Sequence, residues 1–289
     1  MWNYEGDEIK PLRGIKVVTV AVNVPGPLAG SRLCHLGADV IKVEPPTGDP
    51  LARISKPWYQ ALAEGQRIIP LDLKDKNGHA ELDRLLGESD LLLTSIRPAA
   101  LERLSLGRAA VHERHPRICQ VAIVGYPAPD DNISGHDLTY QAAAGLLVPP
   151  LLPRTLLADL ASAERAVSTA VSLLLARERG QGGGYAQVAL AEAAEVFAEP
   201  LRHGATARGG TLGGGLPEYN LYQARQGWVA LAALEPHFWQ RFKEELGLND
   251  APVEVLSLQS IFMTRTAAEW EIWATARDLP LTAVREMFA

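Results

Sequence analysis

Residues 14–44 read GIKVVTVAVNVPGPLAGSRLCHLGADVIKVE, and this stretch decides the fold. Residues 14–22 are short, rich in β-branched side chains, and bounded by Gly14 and by Pro25-Gly26-Pro27, as a buried strand is. Leu28, Ser31, Arg32 and His35 then fall at helical spacing until Gly37 stops the helix. Ala38–Glu44 reads as a second strand, ended by Pro45-Pro46. Strand, helix and strand in about 30 residues form a βαβ unit, which implies a parallel sheet with a right-handed crossover. The first turn carries no GxGxxG, so the usual dinucleotide fingerprint is absent.

The same alternation continues outward. Residues 68–73 read as a third strand, 77–88 as a helix with Leu82, Leu85 and Leu86 inward, and 90–94 as a fourth strand. Arg97-Pro98 opens a helical Ala99–Leu104, and Ile118–Val124 is a fifth strand ending at Gly125-Tyr126-Pro127. The expectation is an α/β protein with a Rossmann-like open parallel sheet. In such sheets the ligand lies beyond the carboxyl ends of the strands. Those ends are Asn23–Pro27, Pro45–Pro50, Lys74, Ser95–Arg97 and Gly125–Tyr126, which places a cleft near Lys74 and Arg97.

Beyond the fifth strand, Gly135-His136-Asp137 precedes a helix-like run to Ala144, and a proline-rich turn leads to Asp159 among leucines and alanines. Residues 159–179 read as one long helix, closed by Arg177, Arg179 and Gly180. Tyr185–Leu190 is strand-like and Ala191–Phe197 helical. The glycine-rich residues 204–216 read as a mobile linker. A smaller α+β unit follows: a hairpin over residues 221–234, an amphipathic helix through Phe238, Trp239 and Phe242, and a helical end around Trp270 and Trp273. The expected division is a large domain over residues 1–203, the linker, and a small domain over 217–289.

Composition narrows the partners. A net charge of −6 argues against general nucleic-acid binding, which needs a basic surface. No apolar run is long enough to span a membrane. The opening MWNYEGDEIK is acidic and polar, unlike a secretory leader. Cys34 and Cys119 have no motif spacing and read as reduced, small apolar residues, which fits the cytoplasm. The histidines show no metal-ligand spacing, so no metal is expected.

His136 at a helix entrance and Asp159 in an apolar run are the candidates for chemistry. Each also has a plain structural reading. His136 with Asp137 reads equally as a cap, Asp159 as an N-cap, and Glu235 before Pro236 as the cap of its own helix. Lys74, Arg97 and Arg103 read equally as solvated surface charges.

Several segments resemble the class III CoA-transferase family, which includes formyl-CoA transferase, carnitine CoA-transferase and alpha-methylacyl-CoA racemase. They are PGPLAGSRLCHLGADVIKVEPPTGDP (25–50), LDLK (71–74), IRPAALERLSLG (96–107), GHDLTY (135–140), LLADL (156–160), LLLARERGQGGG (173–184) and YNLYQARQGWVALAALEPHFW (219–239). They span most of the chain in the family's order. The GHD segment and the glutamate after the second small-domain strand resemble the racemase branch most.

The resemblance implies an acyl-CoA thioester as substrate, with no tightly bound cofactor and CoA as part of the substrate. It implies a homodimer, which in this family is an interlocked ring. Leu71 and Lys74 match positions at the adenine nucleotide end, Arg97 and Arg103 match positions near the phosphates, and Asp137 matches a further CoA contact. Three departures stand out: Pro45 where a basic side chain is common, Ser95-Ile96-Arg97-Pro98-Ala99 for NFRPG, and Leu160–Ala163 for a glycine-rich stretch. Relatives usually return from the small domain to the large one with a further C-terminal segment, much of which this sequence is expected to lack.

Racemisation of a 2-methylacyl-CoA through an enolate needs acid/base groups on both faces of the α-carbon. By resemblance these are His136 and Asp159, with Glu235 orienting His136. Apolar surroundings should raise the Asp159 pKa, and the amides of residues 159–163 are the expected oxyanion donors. The alternative is a CoA-transferase in which Asp159 is the nucleophile and carries CoA as an aspartyl thioester. A second alternative is a CoA-binding homologue without catalysis.

Overall fold

The computed structural model describes residues 9–248 and 252–285. The opening eight residues, and residues 249–251 and 286–289 of the expected small domain, lie outside them. The chain forms two compact units, residues 1–197 and 198–289.

The first unit is built on six strands: β1 (Lys16–Thr19), β2 (Asp39–Glu44), β3 (Arg67–Pro70), β4 (Leu91–Thr94), β5 (Cys119–Val124) and β6 (Tyr185–Ala189). Their order is β3-β2-β1-β4-β5-β6, and every pair is parallel. This is the doubly wound order, which reverses direction between β1 and β4. β4 and β5 are buried at every position, as strands covered on both faces must be.

Between the strands lie α1 (Pro25–His35), α2 (Leu51–Ile54), α3 (Lys56–Ala63), α4 (Lys76–Gly87), α5 (Pro98–Arg103), α6 (Arg108–Arg114), α7 (Asp137–Ala143) and α8 (Leu157–Ala176). Leu82, Leu85 and Leu86 of α4, Leu101 of α5 and Val111 of α6 pack on Val18, Val20, Ile41, Val43 and Leu92. α8 packs on α1 and on β5 and β6. Its buried positions include Ala158, Ala161, Ala163, Ala166 and Ala170, small side chains that let a helix lie close to its neighbours. The start of α1 is closer still: a Cβ on Gly26 would stand 2.5 Å from the Ala21 carbonyl carbon.

A buried ionic cluster fixes the ends of β1 and β2. Lys42, fully buried, pairs with Glu44 and, at 2.7 Å, with Asp49. Tyr59 donates to Glu44 (2.6 Å), and the Asp49 Oδ1 accepts from the Asn23 and Leu51 amides (3.1 and 2.9 Å).

Several sequence expectations shift. β1 stops at Thr19, and Pro25-Gly26-Pro27, read as a boundary, forms the first turn of α1, where a proline's missing N–H has no helical partner to lose. β3 runs Arg67–Pro70 instead of 68–73, and α2, α3 and α6 were not anticipated. α8 starts at Leu157, so Asp159 is its third residue and not its cap.

α9 (Leu190–Arg202) follows β6 and runs into the second unit. There β7 (Tyr219–Gln223), β8 (Trp228–Ala232) and β9 (Leu281–Ala283) form an antiparallel sheet with β8 in the centre. α10 (Pro236–Leu246), α11 (Val255–Phe262) and α12 (Ala267–Thr275) complete it. Its core is aromatic: Tyr222 stacks on Phe262 (4.6 Å between centroids), and Trp270 meets Trp273 edge-on (5.2 Å). The end expected to be wholly helical thus contains a strand, only three residues long. Over residues 204–215 the backbone bonds to itself, with Leu212 N–H donating to Ala205 (2.7 Å) and Gly215 N–H to Gly210 (2.9 Å).

Candidate active site

The cleft of the first unit opens where β1 and β4 diverge. Its walls come from the carboxyl ends of the strands: Val22, Asn23 and Pro25 after β1, Ser95 and Arg97 after β4, Gly125 after β5, and Leu190 after β6. The segment from Gly135 to α8 adds His136, Tyr140 and Asp159, and the volume is about 210 Å³. Ser95 ties the two diverging strands together: its Oγ accepts from Val22 N–H (2.8 Å) and donates to Val22 O (3.2 Å). Asn23 sits in the left-handed region (φ 65), its amide held by the buried Asp49.

Asp159 is half-buried, and its carboxylate accepts no hydrogen bond from a described residue. Burial, with the Asp137 carboxylate as a lesser cause, pushes its pKa from 3.8 up to about 7. That is the direction expected from its apolar neighbours. Asp137 is nearly fully buried and faces the start of α8: its Oδ1 accepts from the Ala158 and Asp159 amides (2.8 and 3.2 Å), and its Oδ2 from Gln141 Nε2 (2.6 Å). Asp137 is therefore the cap of α8, supplied from α7. The Asp137 carboxylate, expected to contact CoA, is occupied by these three donors. Of the amides expected as oxyanion donors, that of Asp159 is engaged by Asp137, that of Leu160 by Leu156 O (2.9 Å), and those of residues 161–163 lie within the helix.

His136 is the N-cap of α7, where its N–H donates to Thr139 Oγ1 (3.0 Å), and the exposed residue lines the cleft. Arg97 is exposed, lines the same cleft, and pairs with no carboxylate among the described residues. Lys74 and Arg103 line a second cavity of about 520 Å³ with Lys76, His79 and Ser105. The three cations there are unpaired among the described residues. Leu71, expected beside them, packs on the apolar layer under the sheet. Glu235 stands at the N-cap of α10 in the second unit, exposed, with no bond from its side chain to the helix. Asn23 and Ser95 lie in the strand-end segments expected to border the cleft, whereas Tyr140 was not anticipated there.

Among the described residues no group of His, Cys, Asp and Glu could hold a metal ion, and no helix is long and apolar enough to cross a membrane.

The first unit thus carries an unpaired carboxyl and an arginine in one cleft at the switch point of a doubly wound sheet, and a separate cavity lined by three cations. The chain belongs to CoA-transferase family III, whose profile matches residues 12–288. It is 30% identical to human "Alpha-methylacyl-CoA racemase", over 90% of this chain and 74% of that protein. It is 27% identical to the "Probable fatty acyl-CoA transferase Rv3272" of Mycobacterium tuberculosis, over 96% of this chain and 87% of that one. The crystal structure of the Rv3272 protein superposes with a TM-score of 0.85 at 26% identity, covering 97% of this chain and 86% of that one. The fold is thus that of the family. Relatives of both chemistries match, so the racemase branch favoured by the GHD segment is not singled out.

Proposed function

We propose that this protein is a CoA-transferase in which Asp159 is the nucleophile. The observation that carries the reading is the Asp159 carboxyl itself: it is the only acidic side chain lining the cleft among the described residues, and it has no partner there. With a pKa of about 7 it is substantially ionised at neutral pH yet poorly solvated, which suits a carboxylate nucleophile.

The reaction follows from that group. Asp159 attacks the thioester carbonyl, the C–S bond breaks, and an acyl-aspartyl anhydride and CoA thiolate form. The thiolate attacks the aspartyl carbonyl, releasing the donor carboxylate and leaving an aspartyl-CoA thioester. An acceptor carboxylate displaces the thiolate to form a new anhydride. The thiolate then attacks the acceptor's acyl carbon and frees Asp159. No water is consumed and no proton is gained or lost. Lys74, Lys76 and Arg103 suit the nucleotide end of CoA, and Arg97 an anionic stretch nearer the cleft. By family resemblance the protein is a homodimer, which light scattering would test.

A second reading is racemase-type proton transfer, favoured by His136 lining the same cleft as Asp159. Glu235 enters it through the resemblance alone. NMR in D₂O with a 2-methylacyl-CoA, without and then with succinate, separates the two. Succinyl-CoA together with a trapped CoA adduct on Asp159 supports transfer. Deuterium entering the α-position, lost in both His136→Ala and Asp159→Ala, supports racemisation and overturns the transferase reading.

A further inference from the structure

Both chemistries above place negative charge on the thioester carbonyl oxygen, and both need a donor aimed at it. Helix N-terminal amides commonly serve, but those of Ala158 and Asp159 in α8 are engaged by Asp137 and that of Leu160 by Leu156 O. We propose that the Tyr140 hydroxyl is the hydrogen-bond donor to the acyl carbonyl oxygen in this cleft, a role that rests on the cleft taking an acyl-CoA.

Three observations meet at Tyr140. The residue is 3% exposed, yet it lines the cleft. Its hydroxyl makes no hydrogen bond to a described residue, although a buried tyrosine hydroxyl normally finds a partner. The ring is held in a slot made by two glycines: a Cβ at Gly125 would stand 2.5 Å from the hydroxyl oxygen, and one at Gly135 would stand 2.6 Å from the ring. Tyr126 closes the slot edge-on at 5.2 Å between centroids. The hydroxyl is therefore fixed in place with its donor available. Burial, with Tyr126 and Asp159 adding to it, pushes the phenol up to about 12, so it keeps its proton at neutral pH.

The oxygen that Tyr140 would recognise is present in a thioester and missing in a thioether. Calorimetric titration with butyryl-CoA and with S-butyl-CoA therefore isolates the contact. The wild-type protein should bind the thioester ~3–10-fold more tightly, the worth of one neutral hydrogen bond. Tyr140→Phe should bind both ligands alike, losing that ~3–10-fold preference for the thioester, with kcat reduced ~10²-fold or more. Gly135→Ala, which keeps the hydroxyl but displaces the ring, should lower kcat too. Circular dichroism checks that each variant is folded. Equal binding of the two ligands by the wild-type protein, or undiminished discrimination in Tyr140→Phe, overturns the Tyr140 proposal and leaves the CoA reading intact. Carbonyl discrimination without CoA exchange or proton exchange does the reverse. Binding of neither ligand overturns both.

Discussion

Replacing Asp159 with asparagine should stabilise the protein, and only above a defined pH. A carboxyl whose pKa is raised from 3.8 to about 7 resists ionisation in the folded state by ~4 kcal/mol relative to water. Water in the cleft screens part of this, leaving ~2–4 kcal/mol. Below about pH 4 the carboxyl holds its proton in both the folded and unfolded chains, and the term vanishes. As pH rises toward 7 the unfolded chain ionises first while the folded site keeps its proton, so stability falls. Above about 7 both forms are ionised and the loss is complete and constant. Asp159→Asn keeps the shape without the ionisation and escapes the loss. Urea unfolding followed by circular dichroism should show the variant ~2–4 kcal/mol more stable at about pH 8, with the gap closing as pH falls to about 4. A gap independent of pH, or a variant less stable than its parent at about pH 8, would refute the reasoning.

Three further outcomes follow from the same geometry. If Asp159 acts as an ionised nucleophile, kcat/KM should rise with pH through about 7 to a plateau, whereas racemisation by an acid/base pair should give a bell; a pH–rate profile decides. Asp137→Ala strips the cap from the Ala158 and Asp159 amides and removes a neighbouring charge, so it should cost ~2–3 kcal/mol and move the pH–rate midpoint down. Lys42→Met leaves Glu44 and Asp49 buried without a cation and should cost ~3–5 kcal/mol; denaturant unfolding would measure both losses.

The sheet was legible because parallel strands announce themselves. LLLT at β4 and CQVAIV at β5 are continuous buried runs, and the segments just beyond them are where the cleft walls stand. What the sequence concealed was contact across long separations. Nothing near Asp159 shows that its helix is capped by Asp137, because the bond joins residues on different helices across a proline-rich turn. A cap was expected at Asp159 on local grounds, and local grounds cannot reveal a cap from elsewhere. One signal was missed: Lys42 interrupts the apolar strand DVIKVE with Glu44 two residues on, and a charge in a fully covered strand demands a buried partner. Following it would have led through Asp49 to Asn23. β9 was hidden by length, since LTA is too short to show an alternating pattern.

The way β6 joins the sheet also bears on how the molecule assembles. Its partner β5 lies far upstream, with Gln120 opposite Tyr185. The chain between them carries Gly125, Gly135, His136, Tyr140 and Asp159. A loop of that length must close before the pairing rewards it, and such long-range parallel pairings form slowly. The first five strands can associate while the cleft does not yet exist, leaving the apolar edge of β5 open to another chain. In pulsed hydrogen exchange during refolding, β4 amides should therefore gain protection before those of β6, and simultaneous protection would count against this order. Low yields on refolding at high protein concentration would trace to that waiting edge, and slow recovery of activity to the late arrival of the segment that carries Asp159.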